Sequence, residues 1–146
     1  MIPKFRGKST ADENKGEWMC GNLITDKTSA YITDGDIDAY EDFISIERWC
    51  SIDVNTVGQS TGLFDKNGVE VFEGDIVKTT RFFGRADEVG GFYEYDKELI
   101  GIVKVLEGAW VIDIGNDAVH LWTEVEENEV IGNIYENPEY LKKRGN

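Results

Sequence analysis

A chain of 146 residues, 40% hydrophobic and 12% aromatic, has the length and apolar content of one folded domain, since domains run to roughly 100–200 residues and bury most of their apolar surface at that size. Twenty-nine acidic against 15 basic residues give a formal net charge of −14, a field that repels phosphate and anionic lipid and so speaks against direct binding of nucleic acid or a membrane surface. Trp18, Trp49, Trp110 and Trp122 are spread along the chain, and acidic sequences that stay disordered lack such large apolar groups.

The first third reads as short extended segments. GEWMCGNLI (16–24) and SAYITDG (29–35) are apolar-rich and are separated by TDKT (25–28), a polar connection of hairpin length. In DIDAYEDFISIERWC (36–50), Ile37, Tyr40, Phe43 or Ile44, and Ile46 lie near helical spacing, while FISIERW alternates like a strand; both readings stay open. Cys20 and Cys50 stand thirty positions apart with no CxxC and no histidine cluster, which excludes zinc and thioredoxin-type motifs and predicts buried thiols in a reducing compartment.

LFDKNGVEVFEGDIVK (63–78) carries the strongest local signal. Asn67 and Gly68 both tolerate positive φ, and Leu63, Phe64, Val69, Val71 and Phe72 supply paired strands on either side. Glu73-Gly74-Asp75 then breaks the strand and DIVK (75–78) restarts it, the pattern at the entry to small barrels. On this reading Asp65 is a turn residue, and Asn, which serves similar turn roles, replaces it with little effect.

TTRFFGRADEVGGFYEYDKE (79–98) is expected to form a long excursion in which Phe82, Phe83, Phe92, Tyr93 and Tyr95 surround Arg81, Arg85 and the Gly90-Gly91 pair. Two uses fit it: a β-ribbon with aromatics packed across strands, or a surface for a partner protein or for self-association made by Phe82, Phe83, Arg85, Phe92, Tyr93 and Tyr95. LIGIVKVLEG (99–108), AWVIDIGN (109–116) and AVHLWTEV (118–125) are three further β-rich runs, spaced by turn signals at Glu107-Gly108 and Gly115-Asn116-Asp117. In EVIGNIYENPEYLKKR (129–144), Asn137 and Pro138 predict the cap and start of a short terminal helix ending on Lys142, Lys143 and Arg144. The whole reads as mainly β, of α+β type: a strand-rich part with one possible helix over residues 1–60, then an SH3-like barrel and the terminal helix over 61–146, as one folding unit.

Chemistry finds little purchase. Asp34, Asp36 and Asp38 match the first ligand positions of a calcium loop, but Ala39 stands where glycine is needed and Ser45 where the bidentate glutamate is needed; the segment is read as a solvated acidic turn. DKNG (65–68) opens like such a loop and is explained by its hairpin. His120, the single histidine, lies in an apolar run with no nucleophile motif beside it and is read as structural. GxGxxG, Walker A and HExxH are absent. No catalytic residue, cofactor or metal is therefore predicted. The leading expectation is a non-enzymatic, self-associating module that binds an unknown protein; an acidic mimic of nucleic acid and a carboxylate- or metal-dependent hydrolase are the alternatives. The terminus MIPKFRGKST has no apolar segment, and no run approaches the roughly twenty apolar residues of a membrane span, so a soluble, cytoplasmic protein is expected.

FRGK (5–8), GEWMCGNLI (16–24), TVGQSTGLFDKNGVEVFEGDIVK (56–78), GIV (101–103) and EVIGNIYENPEYL (129–141), in that order, resemble the YopX family of small phage and prophage proteins. The resemblance implies a phage origin, and hence a bacterial host cytoplasm, with a mainly β fold that is barrel-like in its carboxy-terminal part. It supplies no catalytic residue. Its matched positions Gly62, Asp65, Asn67, Gly68, Gly74, Asp75, Gly132 and Asn133 are turn formers. Residues 34–50 and 79–98 fall outside the matching blocks.

Overall fold

The computed structural model describes residues 2–86, 92–121 and 127–143, with side chains described except at 82–86, 92–96 and 143. Thirteen strands and two short 3-10 helices are found among them, so the fold is mainly β. The segment 36–50 is strand throughout its regular parts, and the described residues contain no α-helix. Two compact units divide the chain, Met1–Ser60 and Thr61–Asn146.

The first unit contains β1 (Phe5–Lys8), β2 (Trp18–Thr25), β3 (Ala30–Thr33), β4 (Ile37–Ala39), β5 (Ile44–Ile46) and β6 (Trp49–Ile52), then a 3-10 turn at Val54–Thr56 and the start of β7 (Gly58–Phe64). Its main sheet is antiparallel in the order β6-β3-β2-β1-β7. The expected hairpin is β2–β3, in register Leu23↔Ile32 and Ile24↔Tyr31. Asp26 closes its turn, Oδ1 accepting from the N–H groups of Thr28 and Ser29. Alternation along the strands puts Ala30, Ile32, Cys50 and Ile52 on the inner face, where Phe5, Met19 and Leu23 complete a core. A bridge between Ser9 and Ile52, with Thr10 N–H donating to the Ser51 carbonyl, ties β6 back towards the end of β1. Cys50 is buried there and donates to Ser9 Oγ at 3.1 Å. Cys20, expected to be buried, is exposed, because it shares the outward parity of Trp18 and Asn22 on β2.

The second unit contains the end of β7, β8 (Glu70–Phe72), β9 (Asp75–Ala86), β10 (Phe92–Leu106), β11 (Ala109–Asp113), β12 (Ala118–His120), β13 (Glu127–Asn133) and a 3-10 helix at Pro138–Lys143. An antiparallel sheet runs β12-β11-β10-β9-β13 over a core of Val71, Val77, Val103, Ile112 and Leu121. The sheet is open: among the described residues no pairing joins β12 to β13, in contrast to the SH3-like barrel expected here. The β9–β10 pair is the longest in the sheet. Its register runs from Ile76↔Ile102 to Ala86↔Phe92, whereas β13 pairs β9 only over Asp75–Thr80 and β11 pairs β10 only over Ile102–Leu106. Much of both strands therefore extends past its neighbours as a two-stranded ribbon. The expected terminal helix is a 3-10 turn of six residues, short of the roughly 12 needed for an α-helix to hold without tertiary support. Asn137 turns its Oδ1 back to the Asn133 N–H instead of capping that helix. His120 is exposed at the end of β12, and its carbonyl accepts from the buried Arg81 Nη2 at 2.7 Å.

Candidate docking groove

The matched turn residues all have local structural partners. Asp65 is buried; its Oδ1 accepts from the Asn67 and Val69 N–H groups and its Oδ2 from Val130 N–H, each at 2.9 Å. The hairpin closes on Asp65 and Val69 around Lys66, Asn67 and Gly68, so only Gly68 (φ 81) takes positive φ and Asn67 does not; this is a three-residue loop with glycine at its left-handed position. Gly62 (φ 76) and Gly74 (φ 91) also need that region, and Gly74 N–H donates to the Val103 carbonyl. Asp75 is 2% exposed and accepts from Phe72 N–H. Gly132 lies beneath Asn137, and Asn133 Oδ1 accepts from the Tyr135 and Glu136 N–H groups. These contacts join β7, β8, β9 and β13.

The aromatic candidates lie on the ribbon. Phe82, Phe83 and Arg85 are on β9, and Phe92, Tyr93 and Tyr95 on β10, with Phe83↔Tyr95 and Arg85↔Tyr93 directly opposite in register. Their side chains and residues 87–91, Gly90-Gly91 included, lie outside what is described. Arg81 is excluded from a surface role: its Nε donates to Thr79 Oγ1 and its Nη2 to the His120 carbonyl, inside the unit.

The first unit holds a feature that the sequence did not disclose. On the outer face of its sheet, Ile24, Tyr31 and Trp49 stand where an antiparallel sheet normally turns polar side chains to water. Opposite them is the β4–β5 hairpin, in register Ile37↔Ile46 and Ala39↔Ile44, which presents Ile44 and Ile46. These five side chains line a groove of about 380 Å³, within the range of roughly 300–1,000 Å³ typical of binding pockets. Tyr31 and Trp49 meet edge to face, with centroids 5.7 Å apart. Trp49 remains 60% exposed and Ile44 58%, a concentration of open apolar surface that marks an interaction site more often than a bare surface.

A determined neck sets the hairpin's place. Thr33, 1% exposed, donates from Oγ1 to the Glu47 carbonyl and accepts from Gly35 N–H, while Glu47 N–H donates to the Asp36 carbonyl. A Cβ on Gly35 would collide with the Glu47 carbonyl. Arg48 turns the chain at φ 49 and reaches Asp34, Nε to Oδ1 at 3.4 Å. At the tip, Tyr40 and Phe43 stack at 4.7 Å. The acidic segment is thus arms and neck of a hairpin, not a simple turn. Strand parity puts Asp38 on the face opposite Ile37 and Ile46, with Glu41 and Asp42 in the tip. Of the two readings left open for this segment the strand-like alternation of FISIERW holds, and it aligns Ile44 and Ile46 on one side.

Among the described residues no three His, Cys, Asp or Glu side chains are grouped as a metal site would require, and no helix is long and apolar enough to cross a membrane.

Fold and groove together define a mainly β protein of two compact sheet units, one of them with an open apolar groove. The family model for YopX protein matches residues 4–142, and the chain belongs to that family. The chain is also similar to the crystal structure of protein EF1440 from Enterococcus faecalis, at 27% identity and a TM-score of 0.59, over 97% of this chain and 99% of that one. No curated protein matches it.

Proposed function

We propose that this protein is a non-enzymatic binding module, encoded by a phage or prophage and acting in the bacterial cytoplasm, that docks a partner protein in the groove between the β2-β3-β6 face and the β4–β5 hairpin. The observation that carries this reading is Trp49, an edge-to-face partner of Tyr31 that is still 60% exposed at the mouth of an apolar groove. Large aromatic groups placed in this way supply most of the affinity at protein interfaces. The family resemblance supports the phage origin.

A photo-crosslinking residue in place of Ile44, in the host cell, tests the reading. A discrete protein adduct, absent when the probe replaces Asn116, exposed in the turn between β11 and β12, supports a docking groove; an adduct of doubled mass identifies self-association through the same face. Equal labelling from both positions contradicts the proposal. The ribbon is a second contact region, favoured by its extension past β11 and β13. Loss of an adduct on changing Phe82, Phe83 and Tyr93 to Ala would assign it a share.

A further inference from the structure

The groove is built from one kind of side chain and bordered by another. Its lining is wholly apolar or aromatic, while the segment that makes its hairpin wall, residues 34–48, carries Asp34, Asp36, Asp38, Glu41, Asp42 and Glu47 against the single base Arg48. That base is already engaged with Asp34. Parity along β4 and β5 keeps the carboxylates out of the groove: Asp38 shares the far face with Ser45, and the others sit at the neck and the tip. An occupant therefore meets apolar walls at the centre and negative charge at both ends. Salt screens such charges over a Debye length of roughly 8–10 Å at ordinary ionic strength, so their pull on a segment seated there is strongest at low salt.

We propose that the occupant is a cationic amphipathic segment of another protein, with one or two aromatic or long aliphatic anchors seated against Trp49, Tyr31, Ile24, Ile44 and Ile46 and with lysine or arginine flanking them. The proposal rests on the docking reading above and names its partner class. A second copy of this chain is the poorer occupant: each copy carries −14, and bringing two acidic hairpins together sets like charges against one another. Apolar contact supplies the affinity, while the carboxylates attract the basic partner and exclude acidic ones.

The test uses the whole chain and three fluorescent peptides of equal length and identical anchors, one strongly cationic, one neutral and one strongly anionic, titrated by anisotropy. The cationic peptide is expected to bind at least about tenfold more tightly than the neutral one at low salt, with the advantage shrinking as salt is raised. Trp49→Ala should weaken it about 30-fold, the loss typical of an interface hot spot. Ile44→Ser, at a second exposed groove position, should weaken it in the same direction; circular dichroism like that of the wild type confirms that both variants fold. Replacing Asp36, Asp38 and Asp42 together by Asn should remove most of the charge preference and leave the neutral peptide's affinity in place. Equal affinity for all three peptides, lost in Trp49→Ala, would overturn the cationic partner and keep the groove. Cationic binding indifferent to both Trp49→Ala and Ile44→Ser would overturn the proposal in favour of general attraction to an acidic surface, the behaviour of a nucleic-acid mimic. No binding by any peptide, with no adduct from Ile44, would remove the groove itself.

Discussion

Replacing Asp65 by Asn changes one atom's chemistry in a fully used side chain. Both carboxylate oxygens accept: Oδ1 takes the Asn67 and Val69 N–H groups and Oδ2 takes Val130 N–H, 65 residues away in the chain. An Asn keeps one acceptor and sets an NH₂ group where the other was, so either the turn or the link to β13 is lost, with two donors left facing. The side chain is 7% exposed, so water restores little of what is lost. An unsatisfied buried donor costs about 1–3 kcal/mol, and the surviving bonds lose their charge assistance, which brings the expected destabilisation to about 2–3 kcal/mol. Asp65→Ala, which strands all three donors, should cost more. Urea unfolding measures this directly: with a slope of about 1–3 kcal/mol per molar, the Asn variant's midpoint should fall by about 0.7–3 M at unchanged slope. A midpoint within experimental error of the wild type would refute the reasoning and return Asp65 to an ordinary turn residue that Asn replaces freely.

Gly68 and Gly132 should fail for different reasons. At Gly68 an added Cβ meets nothing within 4 Å, so Gly68→Val should cost only the backbone strain of φ 81, about 1–3 kcal/mol, and Gly68→Asn should recover most of it in the same melt. A Cβ at Gly132 would stand 2.5 Å from Asn137 Oδ1 and 2.7 Å from its Cγ, so Gly132→Ala should cost about 1–3 kcal/mol through overpacking, part of it recovered on adding Asn137→Gly. The backbone N–H groups of Thr28 and Ser29, bonding to the Asp26 carboxylate, hold its pKa below the ordinary 3.8. A depressed folded pKa gives a contribution present above the unfolded value and lost as pH falls through the folded one. Asp26→Asn should therefore reduce the pH dependence of stability below about pH 4, which acid titration of the melting temperature checks.

What could be read from the chain was what short range decides. Asp65 and Gly68 declare a turn because their own neighbours complete it, and TDKT declares a hairpin for the same reason. Local chemistry did not separate a loop with two positive-φ residues from the observed one with Gly68 alone, nor did it reveal that Asp65 holds Val130. Residues 36–50 are ambiguous because Ile37, Tyr40 and Ile44 fall at helical spacing while Ile44 and Ile46 alternate as in a strand; the neck bonds among Thr33, Gly35 and Glu47 accompany the strand form, and they join positions up to 14 residues apart. Among the described residues the expected closed barrel is not found, because turn spacing predicts strands and not closure. The groove was illegible as a site because Ile24, Tyr31 and Trp49 reach one face only through the registers of β2, β3 and β6, and Ile44 and Ile46 arrive from a separate hairpin.

The claim that this groove is where the protein acts is tested most directly by nuclear magnetic resonance of the whole chain, with isoleucine methyls and tryptophan indoles labelled and the cationic amphipathic peptide added to saturation. Binding in the groove predicts that the Ile24, Ile44 and Ile46 methyls and the Trp49 indole shift together along one saturable curve, while Trp110 and the Ile76 and Ile112 methyls of the second unit's interior stay in place. Saturable binding that leaves the Trp49 indole and these three methyls unmoved would contradict it.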